Sequence, residues 1–508
     1  MEGIHHLSYF LMPLLHIKLL LLIAAGTFAG IYVGAIPGLS VTMAVSLLIS
    51  FTFSWGVNEA LALMVGIYCG GVYGGSRSAI LLNIPGAPAA IATAFDGFPL
   101  AKKGEAGIAI GLTTVVSVVG GFIGVIFLSV GGPLLSKFSL KFAPRDYMLL
   151  AIMGILLVGS LSGKSLFKGI FAGALGVILG LVGMDPLTGQ GRFTFGNVQL
   201  MGGIHYVVAM IGLFGVSEAL SQIRNINLKP VKQRVDKIIP PWRWVVKNLP
   251  LAIKSSVVGV FIGSLPGTGG DIAALLTYGY AKRSVKNPSR PFGEGAYEGL
   301  VAPESANNAA IGGAYIPMLT LGIPGDAVTA VIIGALYIHG LKPGPMLMIE
   351  TPHLFWFIVG SLVLANIFLL IFGLTGIRIF TKMVELPKGI LIPVIVVLSV
   401  VGTYSIHNNL MEVWWMLGLG IAGYVLRTYG IEMGPIVLGM ILGPLMDLSY
   451  RRAMMSVRNQ PAIFFLDLFR NPISLVLTLL ILAMIIGQTP LWNKCTIAFK
   501  KKGGEGLK

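Results

Sequence analysis

Charged side chains are scarce in this sequence. Of its 508 residues, 11% are Asp, Glu, Lys or Arg, against about 25% in a soluble globular protein. Acids are the rarer sign, 20 against 36 Lys and Arg. So few charges cannot cover a water-exposed surface, and with 55% hydrophobic residues and a mean hydropathy of +0.86 the chain belongs in a bilayer. Cysteine is nearly absent: Cys69 and Cys495 lie far apart, so no disulfide framework follows. His5, His6, His16, His205, His339, His353 and His407 are scattered without ligand spacing, and no metal site is expected. The sparse acids lack the clustered carboxylates, or the facing nucleophile and base, that a membrane-embedded enzyme would need. An enzyme is therefore not expected. The segment GSLSGKS (159–165) imitates a phosphate loop, but Val158 stands where the first Gly is required. No ATPase and no bound cofactor follow, so any energy-driven activity would draw on an ion gradient or on another chain.

Long apolar runs are abundant. Uncharged stretches at 19–58, 107–136, 147–163, 169–184, 305–325, 354–377, 389–406 and 473–493 reach or approach the roughly 20 residues that span the hydrocarbon core. The first apolar stretch, past Pro13 to about Gly38, shows no cleavage pattern after a basic start and is expected to remain as a membrane segment. Shorter pieces at 41–53, 78–92, 272–281 and 327–338, bounded by Gly and Pro, read as half-helices or re-entrant hairpins. The formal charge of +16 does not point to nucleic acid, because the basic residues sit in short loops, the positive-inside pattern. Eight Lys and Arg against Asp236 alone mark the loop 223–254 as cytoplasmic. The basic, Gly-rich tail 494–508 reads as a surface segment.

One signature recurs four times in two matched pairs: GAIPGLSVT (34–42) with LLNIPGAPAA (81–90), and GSLPGTGGD (263–271) with TLGIPGDAVTA (320–330). Placing Pro37-Gly38 on Pro266-Gly267 and Ile84-Pro85-Gly86 on Ile323-Pro324-Gly325 also brings Gly74 opposite Gly313. With a four-residue gap, Asp96-Gly97 falls opposite His339-Gly340. The chain thus divides into a first repeat (1–222), the basic linker (223–254), a second repeat (255–493) and the tail. Inverted repeats put equivalent loops on opposite sides of the membrane. The loop Phe53 to Glu59 has no positive charge, whereas its counterpart carries Lys282, Arg283, Lys286 and Arg290; Lys102-Lys103 face Lys342 alone. Both comparisons favour inversion. A third pair, Lys137, Lys141 and Arg145 against Arg378, Lys382 and Lys388, does not discriminate.

Irregular backbone is tolerated in a bilayer only when it is buried in protein or lines a wet cavity. Four Pro-Gly breaks therefore predict such a cavity. Helices that begin after them aim N–H groups and positive dipole ends at it, which suits an anion. Ser40, Thr42, Ser78, Asn83, Thr268, Asn307 and Asn308 lie near the breaks and can hydrogen-bond a carboxylate or an alkali cation. An isolated break would more simply kink a packed helix; duplication in pairs favours a site. Gly74-Gly75 and Gly312-Gly313 fit close helix packing. Arg77 fits either a bidentate clamp on a carboxylate or a structural bridge to Asp271 or Asp326. The two acids fit either a coupling proton or Na⁺ or plain helix caps. Glu298 and Glu304 read as a solvated loop ending in a cap, whereas the Asn307-Asn308 pair, expensive to bury unpartnered, reads as part of a site.

The stretches YCGGVYGGSRSAILLNIPG (68–86), AFDGFPLAKKGEAG (94–107), GRFTFG (191–196), FGEGAYEGLVAPESANNAAIGGAYIPMLTLGIPG (292–325) and HGLKPGPML (339–347) resemble the large membrane subunit of the tripartite tricarboxylate transporters, the TctA family. The resemblance runs from about Gly30 to about Pro472. It implies a prokaryotic inner-membrane secondary transporter, driven by Na⁺ or H⁺, that carries citrate or other di- and tricarboxylates. It also implies two partners, a small four-helix membrane subunit and a periplasmic binding protein. The family's motif positions fall on Pro37, Gly38, Asn83, Pro85, Gly86, Asp96, Gly97, Pro266, Gly267, Pro303, Glu304, Asn307, Asn308, Pro324 and Gly325. Arg77, Asp271 and Asp326 depart from its usual pattern of an uncharged residue at the first position and small residues at the others.

The expectation is an all-α polytopic protein of about 10–14 membrane segments, in two inverted repeats with re-entrant Pro-Gly hairpins. Its substrate site draws on Ser40, Thr42, Arg77, Asn83, Pro85, Gly86, Thr268, Gly269, Asn307, Asn308, Pro324 and Gly325. Its coupling-ion site draws on Asp271, Asp326, Asp96 and Glu304. An anion channel, or a carrier of another organic anion, is the nearest alternative, because broken helices with polar linings also build pores.

Overall fold

The computed structural model describes residues 2–36, 39–161, 166–223, 238–376 and 388–487. Pro37-Gly38, residues 162–165 of the phosphate-loop imitation, residues 224–237 of the basic linker and the tail lie outside that set. Helices α1 Glu2–Leu15, α2 Ile17–Ala35, α3 Val41–Thr52, α4 Val57–Leu82, α5 Ala90–Lys102 and α6 Ala106–Ser139 come first. Then follow α7 Pro144–Leu161, α8 Leu166–Gly180, a small antiparallel hairpin of β1 Gly183–Met184 with β2 Gly191–Arg192, and α9 Val198–Met201. A continuous helical segment joins α10 Tyr206–Met210, a π-helical turn at Ile211–Val216 and α11 Ser217–Ile223. The second half holds α12 Trp242–Gly263, α13 Gly269–Ser284, α14 Glu298–Leu321, α15 Ala327–Ile338, α16 Leu347–Glu350 and α17 Pro352–Thr375. The last five are α18 Lys388–His407, α19 Leu410–Thr428, α20 Met433–Ser456, α21 Pro461–Arg470 and α22 Pro472–Gly487.

The protein is an all-α multi-pass membrane protein. Among the described residues six helices are long and apolar enough to cross a bilayer: α2, α6, the Tyr206–Ile223 segment, α12, α17 and α20. The pair α21 and α22, bent by 94°, raises the number to seven if it counts as one span. Five shorter apolar helices, α3 and α15 among them, fall below span length.

The chain forms two compact units, Met1–Leu140 with Ile204–Thr428, and Lys141–Gly203 with Tyr429–Lys508. Each draws on both halves of the sequence. In the first unit backbone meets backbone. A Cβ added to Gly70 of α4 would lie 2.2 Å from the Thr27 carbonyl of α2, and one added to Gly74 would lie 2.3 Å from that of Ile31. In the other half, α12 and α14 meet the same way: a Cβ on Gly259 would sit 2.2 Å from the Ala306 carbonyl, and one on Gly313 would sit 2.4 Å from that of Val260. Without hydrophobic drive between helices in lipid, such close approach supplies the dispersion contacts that hold them together. α14 is buried from Glu298 to Thr320. Glu298 and Glu304, read from the sequence as a solvated loop ending in a cap, thus lie in helix interior, with Pro303 tolerated between them. The piece 78–92 is likewise not one half-helix. It contains the end of α4, a break at 83–89 and the start of α5, because Asn83 turns left-handed at φ +54° and Pro85, Gly86 and Pro88 follow.

Two buried acids and one half-buried acid pin the polar loop before α14. Asp96 of α5 accepts from the N–H groups of Gly293, Gly295 and Ala296 at 2.8–2.9 Å and from the Tyr278 hydroxyl at 3.0 Å. Glu298 accepts from the Ser289 hydroxyl at 2.6 Å. Arg290 binds Glu105 at 2.6 Å, and the Tyr297 hydroxyl donates to the same carboxylate at 2.8 Å. Arg290 in the first place, then Tyr297, holds the Glu105 carboxyl below its ordinary range.

The second unit packs α7 and α8 with α20, where a Cβ on Gly176 would lie 2.0 Å from the Ile436 carbonyl. Its hairpin is tied down by an ionic square. Asp185 binds Arg192 at 2.6 Å and Arg451 at 2.8 Å, and Asp447 binds the same two arginines at 3.0 and 3.2 Å.

Gly70→Val is expected to force α2 and α4 apart and lower stability by about 1–3 kcal/mol, read as an earlier unfolding midpoint in detergent. Gly418→Ala, with open space around its Cα, should leave it unchanged. The Glu105 contribution is full above the ordinary glutamate range and is lost as pH falls through its depressed value. Glu105→Gln should therefore remove about 1 kcal/mol or less at neutral pH and abolish that part of the acid sensitivity in a pH series of unfolding midpoints.

Candidate functional site

Each Pro-Gly signature ends as a helix start. α3, α5, α13 and α15 begin just after them, and two of the helices before them close in the same way. α4 terminates on Asn83 at φ +54° and α14 on Gly322 at φ +70°, positions that coincide in the repeat register. Left-handed backbone is cheap only for Gly and tolerable for Asn. The turn after each is packed equally tightly. A Cβ on Gly86 would meet the Gly34 carbonyl at 2.0 Å and the Gly75 Cα at 2.9 Å; one on Gly325 would meet the Gly263 carbonyl at 2.8 Å and the Ala314 Cα at 2.5 Å. Gly34 stands opposite Gly263 and Gly75 opposite Ala314 in the same register, so both halves make matching contacts.

The four helix starts meet at a cavity of about 150 Å³. Residues 40–42, 86–89, 269–271 and 326–328 line it, with Tyr68 and Val72 from α4 and Asn307 and Ile311 from α14. These also pair by register: Ser40 with Gly269, Thr42 with Asp271, Tyr68 with Asn307, Ala87 with Asp326. The exposed N–H groups are met by side chains. The Ser40 hydroxyl accepts from the Met43 N–H at 3.1 Å. Asp326 accepts from the Thr329 N–H at 2.7 Å while the Thr329 hydroxyl accepts from the Asp326 N–H at 2.9 Å, a closed capping box. Asp271, in the first turn of α13, reaches across to the other half and accepts from the N–H of Ala89, the N-cap residue of α5, at 3.0 Å. Gly269 closes the circuit by donating to the Gly325 carbonyl at 3.3 Å.

Of the residues singled out in the sequence, Ser40, Thr42, Gly86, Gly269, Asn307, Asp271 and Asp326 line this cavity. Asn307 is 6% exposed, its Oδ1 packs so close to Gly270 that a Cβ there would lie 2.1 Å away, and its side chain has no hydrogen-bond partner among the described residues. The others are placed elsewhere. Arg77 is fully buried and donates to the Gly373 carbonyl at 2.7 Å, the Phe372 carbonyl at 3.4 Å and the Tyr73 hydroxyl at 3.3 Å. Its guanidinium thus meets the negative end of α17. Asn83 is an exposed helix terminator, Pro85 is half-buried beside it, and Pro324 and Gly325 are buried in the turn before α15. Thr268 donates back to the Leu265 carbonyl at 3.0 Å. Asn308 is not among the lining residues and donates to the Glu304 carbonyl at 3.0 Å. Glu304 is buried and accepts from Thr93 at 2.5 Å and from Ser117 at 3.1 Å, while Asp96 serves the loop described above.

Tyr68, Val72 and Ile311 were not singled out from the sequence. The Tyr68 hydroxyl donates to Asp326, and its ring lies 5.8 Å from that of Tyr315. The repeat register held the signal, since Tyr68 stands opposite Asn307 and Val72 opposite Ile311.

Asp326→Ala should cost about 0.5–2 kcal/mol through the lost cap, whereas Asp326→Asn, also a good N-cap, should keep most of it. Unfolding midpoints of the two variants in detergent check this.

Residues 20–438 match the family model described as tripartite tricarboxylate transporter TctA family. A protein of Agrobacterium vitis, described as an uncharacterized 52.8 kDa protein in the TAR-I ttuC' 3' region, is 37% identical over 472 residues, 91% of this chain and 91% of that relative. A second protein of the same organism, described as an uncharacterized protein in the TAR-II ttuC' 3' region, is 43% identical over 216 residues, 42% of this chain and 87% of its own length. No solved structure matches the chain.

Proposed function

The chain belongs to the tripartite tricarboxylate transporter TctA family, and from that premise we propose that it is the large permease subunit of such a system and carries a carboxylate across the prokaryotic inner membrane. One observation supports this reading above the rest: helix starts from all four Pro-Gly signatures, two from each half, converge on one cavity. Discontinuous helices that point their N-termini at a central site are how secondary transporters hold anionic substrates. The hydroxyls of Ser40 and Thr42 and the amide of Asn307 add neutral donors, so a carboxylate is held by dipoles rather than by a countercharge.

Substrate arrives from a periplasmic binding protein, and a small four-helix membrane subunit completes the complex. The two halves are inverted repeats, and alternating access follows from their rocking around the shared cavity. A Na⁺ or H⁺ gradient supplies the energy. Citrate and other di- and tricarboxylates are the substrate class that the family points to.

Uptake of labelled carboxylates into proteoliposomes containing the chain and its two partners tests the reading, under imposed Na⁺ or proton gradients. Saturable accumulation that collapses with the gradient is expected; uptake indifferent to both ions would overturn it. Asn307→Ala should lower uptake about tenfold, the worth of one hydrogen bond to a charged group, while membrane insertion stays at the wild-type level.

A further inference from the structure

We propose that Asp271 and Asp326 act as a charge filter in this cavity, so that it takes a small hydroxylated carboxylate of low net charge in preference to a tricarboxylate. The inference rests on the cavity being the substrate site.

The charge balance at the site carries the argument. Four helix N-termini of about half a positive charge each bring roughly +2 to the cavity. Two carboxylates return roughly the same amount with the opposite sign. None of the described lining residues is Lys, Arg or His. Asp326 accepts from the Tyr68 hydroxyl and the Thr329 N–H, and Asp271 accepts from the Ala89 N–H. The cavity is therefore close to neutral before a ligand enters, and each negative charge the ligand brings beyond the first meets a fixed like charge.

The lining is also divided by chemistry. Ser40, Thr42 and Asn307 are neutral groups suited to a ligand carboxylate. Asp271 and Asp326 can only accept, so they suit ligand hydroxyls. Thr42 and Asp271 occupy equivalent register positions, so this division is a difference between two halves of otherwise matching backbone. Size points the same way: a cavity of about 150 Å³ is one that holds a benzene-sized molecule, smaller than citrate.

Binding of malate, succinate and citrate to the purified full-length chain in nanodiscs at neutral pH tests the filter. Malate is expected to bind most tightly, succinate more weakly for want of a hydroxyl, and citrate at least about tenfold more weakly than malate. Asp271→Asn combined with Asp326→Asn keeps the volume and the cap but removes both charges, and should move the citrate-to-malate ratio toward citrate by about tenfold or more. Citrate binding as tightly as malate in the wild type would overturn the proposal without any variant. So would an unchanged ratio in the double variant, including the case in which only Na⁺ dependence is lost and the acids hold the coupling cation instead. If none of the three acids binds, and none is taken up when the partners are present, the transport reading itself fails. That outcome is distinct from a carrier that binds carboxylates without regard to charge.

Discussion

A helix interrupted inside a membrane protein leaves N–H groups that water cannot readily reach, and every such group must find an acceptor or cost several kcal/mol. In this chain that requirement falls on four helix starts at once. The solution is shared between the halves. α3 and α15 are capped by their own Ser40 and Asp326, α5 is capped by Asp271 from the opposite half, and Gly269 donates to the Gly325 carbonyl across the third and fourth breaks. Because the caps cross between halves, the cavity at their centre is a property of the assembled pair. Neither half could form it alone.

The caps can reach one another only because the supporting helices lie at backbone distance. α2 against α4 and α12 against α14 come to backbone contact at glycines, and the turns at Gly86 and Gly325 are wedged against the carbonyls of Gly34 and Gly263. A single methyl group at these places would move a helix start by an ångström or more. Around this rigid centre the remaining polar groups stabilise the scaffold. Arg77 satisfies the carbonyl end of α17, and Asp96 gathers the N–H groups of the loop that leads into α14. Two of the ionisable groups most conspicuous in the sequence thus bond to backbone away from the cavity lining. The groups best placed to meet a substrate are short, and most of them are neutral.

Much of the architecture was legible in the residues. Hydrophobic runs reported the membrane, the duplicated Pro-Gly pairs reported the breaks, and seven of the residues chosen near those breaks do line the cavity. What misled was local context. Glu298 and Glu304 looked like a solvated loop ending in a cap, yet α14 is buried along nearly its whole length because other helices surround it. Asn83 lies beside a break and Asn308 lies next to Asn307, yet neither lines the cavity. One terminates a helix at the surface, and the other donates its amide to the Glu304 carbonyl one turn back.

The sequence alone determined that this chain is helical, membrane-embedded and broken at four places, because hydropathy and the backbone preferences of Pro and Gly act over a few residues at a time. Only the tertiary structure decided which side chains share the cavity and how its charges balance. Asp271 meets Ala89, and Asp326 meets Tyr68, across separations of 182 and 258 residues. Nothing in a linear spacing says which face of a helix will turn toward another until the helices have packed.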